Sequence, residues 1–250
     1  MTPDARPLHV LHDPPLDGAT NMARDEALLH ADTFRPAVLR LYAWAPPTLS
    51  LGYFQQADDL AALPPAIRGL PVVRRLTGGG AILHDREVTY CLVLDDSVPL
   101  ARQSPLALYE AAHTAWRDAL AADGLAADLA PPDFPLPTPR TGPFFCFAKP
   151  GRTDLVFEAR KVLGSAQRRV SGRVLQHGSL LLAQRFPGHP GADLGDPPPA
   201  VVARWTARFE ERLADALGLV RRPADWTPDL LADVAARRAK YADAAWTRRR

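Results

Sequence analysis

Of the thirty Lys and Arg residues in the chain only three are lysines, Lys149, Lys161 and Lys240. Lysine at any one position therefore stands out against a strong preference for arginine. An ammonium is a compact point charge whose pKa moves on burial, whereas the larger guanidinium stays charged. Lys161, in the run EARKVLGSAQRR (158–169), is thus a candidate for chemistry. Cys146, in GPFFCFAKPGRTD, is the nucleophile it could serve, because a cysteine becomes reactive when a cation stabilises its thiolate or a base takes its proton. The two would meet if the segments around 146 and 161 pair as strands. Phe144, Phe145 and Phe147 equally suit a Cys146 that is only a small buried hydrophobe. Cys91, in TYCLVL, reads as core.

A second candidate is the triple glycine Gly78, Gly79 and Gly80 in RRLTGGGAILHD. Successive glycines after a strand let the backbone approach a ligand and present its N–H groups. The loop has neither the G-K-[ST] ending of a Walker A loop nor the G-x-G-x-x-G spacing of a dinucleotide fold. A plain hairpin turn is the competing interpretation. Arg74, Arg75 and His84 flank the loop, and adjacent strand residues point to opposite faces, so only one of the two arginines should face a site. The seven histidines show no metal-ligand spacing with either cysteine. No H-E-x-x-H and no G-x-S-x-G is present.

The elements that must position these residues follow from periodicity. TNMARDEALLHAD predicts a helix capped by Thr20 or Asn21. AVLRLYAW and PTLSLGYFQ predict strands, the second broken at Gly52. The run from Leu70 to Asp95 reads as strand, glycine turn, strand, polar turn, strand. PLALYEAAHTAWRDALAADG is a helix ending before Gly124. DLVFEARKVLGSAQRR and RVLQHGSLLLA are strands interrupted by Gly164 and Gly178, and two amphipathic helices close the chain. Few crossover helices among many strands predict an α+β fold with a mixed, largely antiparallel sheet flanked by helices. The prolines of 64–71, 131–143 and 187–199 mark loops within one domain.

With 47% hydrophobic and 23% charged residues over 250 positions, the composition is that of a globular protein. A net charge of +2 gives no ground for nucleic-acid binding, and the basic C-terminal run RRAKYADAAWTRRR reads as a solvated helix end. No apolar run reaches the roughly 18 residues of a membrane span, and MTPDARPLHVLHDPP lacks a signal-peptide core. Two cysteines make no disulfide framework, so a cytoplasmic protein with reduced thiols is expected.

In order and spacing, NMARDEALL, PTLSLGYFQ, RRLTGGGAILHDREVTYCLVL, CFAKPGRTDLVFEARKVLGSAQRR and LQHGSLLL together resemble the biotin/lipoate protein ligase and octanoyltransferase family over about residues 18–183. The resemblance implies that family's catalytic-domain fold across 1–250, with the helices of about 200–246 as an extension. It leaves two branches. Ligases activate free lipoate with ATP and Mg²⁺. Octanoyltransferases need no ATP or other cofactor and pass octanoyl from acyl carrier protein through a cysteine thioester to a lysine of a lipoyl domain or of the glycine-cleavage H protein. HDREVTYCLVL and the match of Cys146 to the acyl-accepting cysteine favour the octanoyltransferase branch, whereas Gly80 is the ligase-like choice where that branch often has arginine. By resemblance Lys161 binds the acyl carbonyl or activates the nucleophile, and Gly164, Ser165 and Gln167 hold its strand. Arg75, Gly78, Gly79, Gly80 and His84 form the substrate loop, and no metal is used. An amidotransferase between lipoyl carriers and a non-catalytic docking module are the remaining alternatives.

Overall fold

Glu87–Asp95 is the longest β-branched and aromatic run in the chain, and it forms a central strand, β6, buried along its whole length. The computed structural model describes residues 6–131 and 143–249; most of the expected proline-rich loop 131–143 lies outside them. β6 pairs antiparallel with β2 (Ala37–Tyr42) on one side and with β10 (Arg173–Leu181) on the other. Beyond β2 lie β1 (Pro7–His12) and β11 (Val220–Pro223), both parallel additions. Beyond β10 lie β9 (Arg160–Val170), β8 (Leu155–Phe157) and β7 (Asp128–Leu129), all antiparallel. The result is the expected mixed, largely antiparallel sheet, here of eight strands.

One face of this sheet is covered by α3 (Pro105–Ala121) and α4 (Pro199–Leu217), whose Trp116 and Phe209 rings stack at 4.1 Å. The other face carries α1 (Gly18–His30) and α5 (Pro228–Ala242). A second sheet, on the α1 side, has β3 (Thr48–Leu51) between β4 (Val72–Arg74) and β5 (Ile82–His84). β4 runs parallel and β5 antiparallel to β3. The glycines therefore do not close a hairpin: β4 and β5 flank a common neighbour, and residues 75–81 must cross over it.

Several local expectations change. The α1 cap is Asp17, whose Oδ1 accepts from Thr20 N at 3.1 Å. Asn21 is instead buried, donating to Leu16 O and Ala43 O. β9 and β10 run through Gly164 and Gly178 without interruption. Segment 64–71 contains a short helix, α2 (Pro65–Arg68). The basic C-terminus is not a free helix end, because α6 (Ala244–Thr247) locks onto β4. Arg74 Nε and Nη2 donate to Thr247 O at 2.9 and 2.7 Å, and Trp246 Nε1 returns a bond to Arg74 O at 2.8 Å. No helix among the described residues is long and apolar enough to cross a membrane.

Beneath α1 the sheet buries charge. Arg40 has no exposed surface and donates to Asp13 at 2.5 Å, to Asp25 at 2.7 Å and to Asn21 Oδ1 at 2.7 Å. Tyr42 donates to Asp25 at 2.9 Å. A buried ion pair is worth little net, but removing one partner strands the other. Asp25→Ala should therefore lose about 3–5 kcal/mol of stability, read as a lowered urea midpoint at unchanged m-value. A loss below about 1 kcal/mol would mean that Arg40 is not held by this carboxylate.

Candidate active site

Cys146 begins a one-turn 3₁₀ segment, Cys146–Ala148, and not a strand. Its backbone bridges the small sheet: Cys146 N donates to Ala81 O and Ala81 N to Phe144 O, each at 2.8 Å. The expected strand pairing of 146 with 161 is thus absent, yet the two side chains meet. Lys161 Nζ lies 3.4 Å from Cys146 Sγ and 2.7 Å from Asp154 Oδ2. Lys161 is only 4% exposed.

A β-bulge makes the meeting possible. β9 pairs Leu163 with Leu155 but Lys161 with Val156, so β9 carries one residue more than β8. Val162 and Leu163 consequently both enter the core under α3, and side-chain parity reverses before them. Lys161 thereby joins the face of Gly164, which strict alternation would put opposite. Gly164 is empty for the same reason: a Cβ there would sit 2.2 Å from Lys161 Cε and 2.5 Å from Nζ.

Asp154, not singled out in the sequence although it ends CFAKPGRTD, is fixed by Gly151 N at 2.6 Å. Burial, the largest effect, opposes charge on Lys161, but the attractions of Cys146 and Asp154 outweigh it and hold the ammonium above the ordinary lysine range. That favours a permanent cation over the proton acceptor that a desolvated lysine could have been.

Arg75 and Arg74 diverge as strand alternation requires. Arg75 Nη2 clamps Gly78 O and Gly80 O at 2.7 Å each, Nη1 reaches Ser50, and Nε reaches Thr77 Oγ1. Among the described residues no carboxylate pairs with it, and burial pulls it down to about 10. Arg75 thus holds the glycine loop and gives the site an unneutralised positive charge. Gly79, at φ +92°, is exposed at the loop tip. At Gly80 a Cβ would come within 2.9 Å of Cys146 N. Its missing side chain admits the cysteine segment, a structural reason for glycine that does not depend on the branch of the family.

His84 stacks on Trp44 at 3.8 Å, its Nδ1 donates to Glu87 Oε1 at 2.7 Å, and its Nε2 lies 2.8 Å from Ser50 Oγ. The large and small sheets flank a cleft with Met22, Tyr42, Trp44 and Ile82 as apolar walls and Cys146, Gly164 and His84 also lining it. Gln167 is not part of the wall: its Nε2 donates to Pro105 O and Gln176 Oε1, both at 2.8 Å.

Ser165 belongs to a directed hydrogen-bond chain that sequence reasoning missed. His113 Nδ1 donates to Thr153 O at 2.6 Å, so the neutral ring accepts from Ser165 Oγ at 2.7 Å through Nε2. Ser165 accepts from Tyr90 OH at 2.6 Å, and Tyr90 from Gln176 Nε2 at 2.7 Å. Gly178 makes room, since a Cβ there would meet Ser165 Oγ at 2.2 Å. His177 forms a parallel link on the cleft side, between Asp25 at 3.0 Å and Thr77 Oγ1 at 2.6 Å. A lone histidine in the middle of a helix gives no sign of such a role. No cluster of three or more His, Cys, Asp or Glu suited to a metal occurs among the described residues.

A half-buried thiol meets a buried ammonium beside an apolar slot, on a two-sheet α+β frame. The sequence matches the lipoyl protein ligase A/B catalytic domain over residues 17–187, and the chain belongs to that family. It is 43% identical over 182 residues to an octanoyltransferase LipM of Kyrpidia tusciae, covering 69% of this chain and 65% of the relative. To the octanoyltransferase LipM of Moorella thermoacetica it is 43% identical over 181 residues, 66% of this chain and 62% of the relative. The matches thus span somewhat less than two thirds of these relatives' lengths. The fold is that of lipoate ligases. A T. acidophilum protein described as a lipoate protein ligase, solved with lipoic acid, superposes at TM-score 0.76 and 20% identity over 99% of this chain and all of that one. A lipoate-protein ligase A bound with ATP gives 0.74 and 20%, over 98% of each.

Two outcomes follow from this geometry. Gly164→Ala should displace the Lys161 ammonium and lower kcat by about tenfold or more; wild-type kcat would show that Lys161 need not sit there. Burial holds His113 down at about 4 against an unfolded value of about 6.5. The unfolded chain then binds the extra proton between those values. His113 therefore contributes stability that is complete above pH 6.5 and is lost as pH falls towards 4, on the order of 3 kcal/mol. Urea unfolding across that range should show the loss, and His113→Gln should reduce the slope; an unchanged slope would mean that His113 is not buried neutral.

Proposed function

We propose that the protein is an octanoyltransferase of lipoate assembly that works through a Cys146 thioester. The observation that carries this reading is the 3.4 Å approach of the Lys161 ammonium to Cys146 Sγ at the wall of an apolar cleft. A cation there favours the attacking thiolate. Asp154 and Cys146 occupy two of the three Nζ donors, and the third remains for a developing acyl oxyanion. The amide of Cys146 already bonds Ala81 O, so Lys161 is the donor assigned to that oxygen.

In the first half-reaction Cys146 Sγ attacks the thioester carbonyl of octanoyl acyl carrier protein. The bond from that carbonyl to the pantetheine sulfur breaks, and the released thiolate takes a proton from water. In the second, the neutral Nζ of an acceptor lysine on a lipoyl domain or H protein attacks the acyl-enzyme. The bond to Cys146 breaks, the new amide nitrogen loses a proton, and the thiolate returns. Thioester to amide is downhill, so ATP has no part. Met22, Tyr42, Trp44 and Ile82 would hold the octanoyl tail, and Arg75 with Gly78–Gly80 would guide the arm.

Intact-protein mass spectrometry after incubation with octanoyl acyl carrier protein, without ATP, tests this. A hydroxylamine-labile octanoyl adduct on Cys146, absent from Cys146→Ser together with turnover, is expected. Transfer that appears only with lipoate, ATP and Mg²⁺ would make the protein a ligase. Transfer from a lipoylated or octanoylated carrier, with none from acyl carrier protein, would make it an amidotransferase.

A further inference from the structure

Many guanidiniums in this arginine-rich chain are answered by carboxylates, as Arg204 and Arg208 are by Asp123. At the mouth of the cleft two are not. Arg168 stands on β9 two residues beyond Ala166, which lines the cleft, and therefore on the same face. Its guanidinium lies 5.4 Å from the centre of the Tyr53 ring. Arg249 packs against the same ring at 3.9 Å and against Trp246 at 3.8 Å, and its buried Nε has no hydrogen-bond partner among the described residues. Neither arginine forms an ion pair with a described residue. Tyr53 is fixed to the glycine loop by its N–H, which donates to Thr77 O at 2.8 Å. Gly79 is exposed at the tip of that loop.

We propose that Arg168 and Arg249, held on the rim by Tyr53, bind the phosphodiester of the donor carrier protein's phosphopantetheine arm. This deepens the thioester-donor reading above and rests on it. Guanidinium is the side chain best matched to phosphate, with parallel donors in a planar fork. Reach agrees as well. Gly164 lies against the Lys161 ammonium, which touches Cys146. Arg168 is four residues further along β9, about 14 Å at strand rise. The pantetheine arm from sulfur to phosphorus has about thirteen bonds, about 15 Å extended at backbone-like dimensions. A thioester carbon at Cys146 thus leaves the phosphate near Arg168. The buried, unneutralised Arg75 adds to the positive potential along that path.

The test compares octanoyl-pantetheine with octanoyl-4′-phosphopantetheine, two donors that differ only in the phosphate, alongside the octanoyl carrier protein. Arg168→Gln and Arg249→Gln should each raise KM about tenfold for both phosphate-bearing donors. For octanoyl-pantetheine KM should stay within about twofold, and Arg168→Lys should recover part of the loss because it keeps the charge. Thermal unfolding checks that each variant folds. KM rising equally with and without the phosphate, or for no donor, would overturn the phosphate site while leaving the thioester reading intact. Wild-type protein that takes octanoyl from none of the three would remove the thioester reading and the site together.

Discussion

Burying the Lys161 ammonium constrains everything around Cys146, because a charge taken out of water must be answered at once by partners of good geometry. Asp154 answers it, and Asp154 must then be fixed by the tight 151–154 turn. The β9 bulge aims the lysine into the cleft, and Gly164 leaves the space that its stem fills. Behind this, His113 binds Thr153 O, next to Asp154, and Ser165, next to Gly164. One imidazole thereby ties both supports of the ion pair to α3.

The cysteine belongs to the other half of the cleft. Its segment is attached to the start of β5 through Ala81, and Gly80 is the point at which the two backbones touch. The small sheet therefore carries the sulfur while the large sheet carries the ammonium. The 3.4 Å contact between them registers how the two sheets are seated. Arg75 belongs to the same half and holds the loop by its carbonyls. Its charge has no carboxylate partner among the described residues, and an anionic group arriving in the cleft would relieve that imbalance.

Between the sheets the polar groups form continuous networks. Arg40, Asp25, His177, Thr77 and Arg75 are linked in sequence from beneath α1 to the glycine loop. Glu87 gathers His84, Thr89 and Ser179 on the opposite side. Networks of this kind in a low-dielectric interior resist rearrangement. The cleft walls are accordingly set by side chains that have few alternative partners.

The sequence alone determined the element types and the class of sheet, because β-branched alternation and amphipathic helices are local signals. It also singled out Lys161, by contrast with the surrounding arginine, and Cys146, Arg75 and the glycine loop, through spacing that resembles a known family. It could not place Asp154 or His113, whose meaning depends on long-range contacts. It could not show the parity change in β9, because a bulge depends on the neighbouring strand and leaves no mark in a two-residue alternation. Glycines 164 and 178 looked like breaks, but their cause is a lysine stem in one case and a serine–tyrosine pair in the other, arriving from elsewhere in the fold. Only tertiary structure could decide that a 3₁₀ turn, and not a paired strand, brings Cys146 to Lys161. The contact joins two sheets whose relative seating is set by packing and buried hydrogen bonds and by no local preference of the chain.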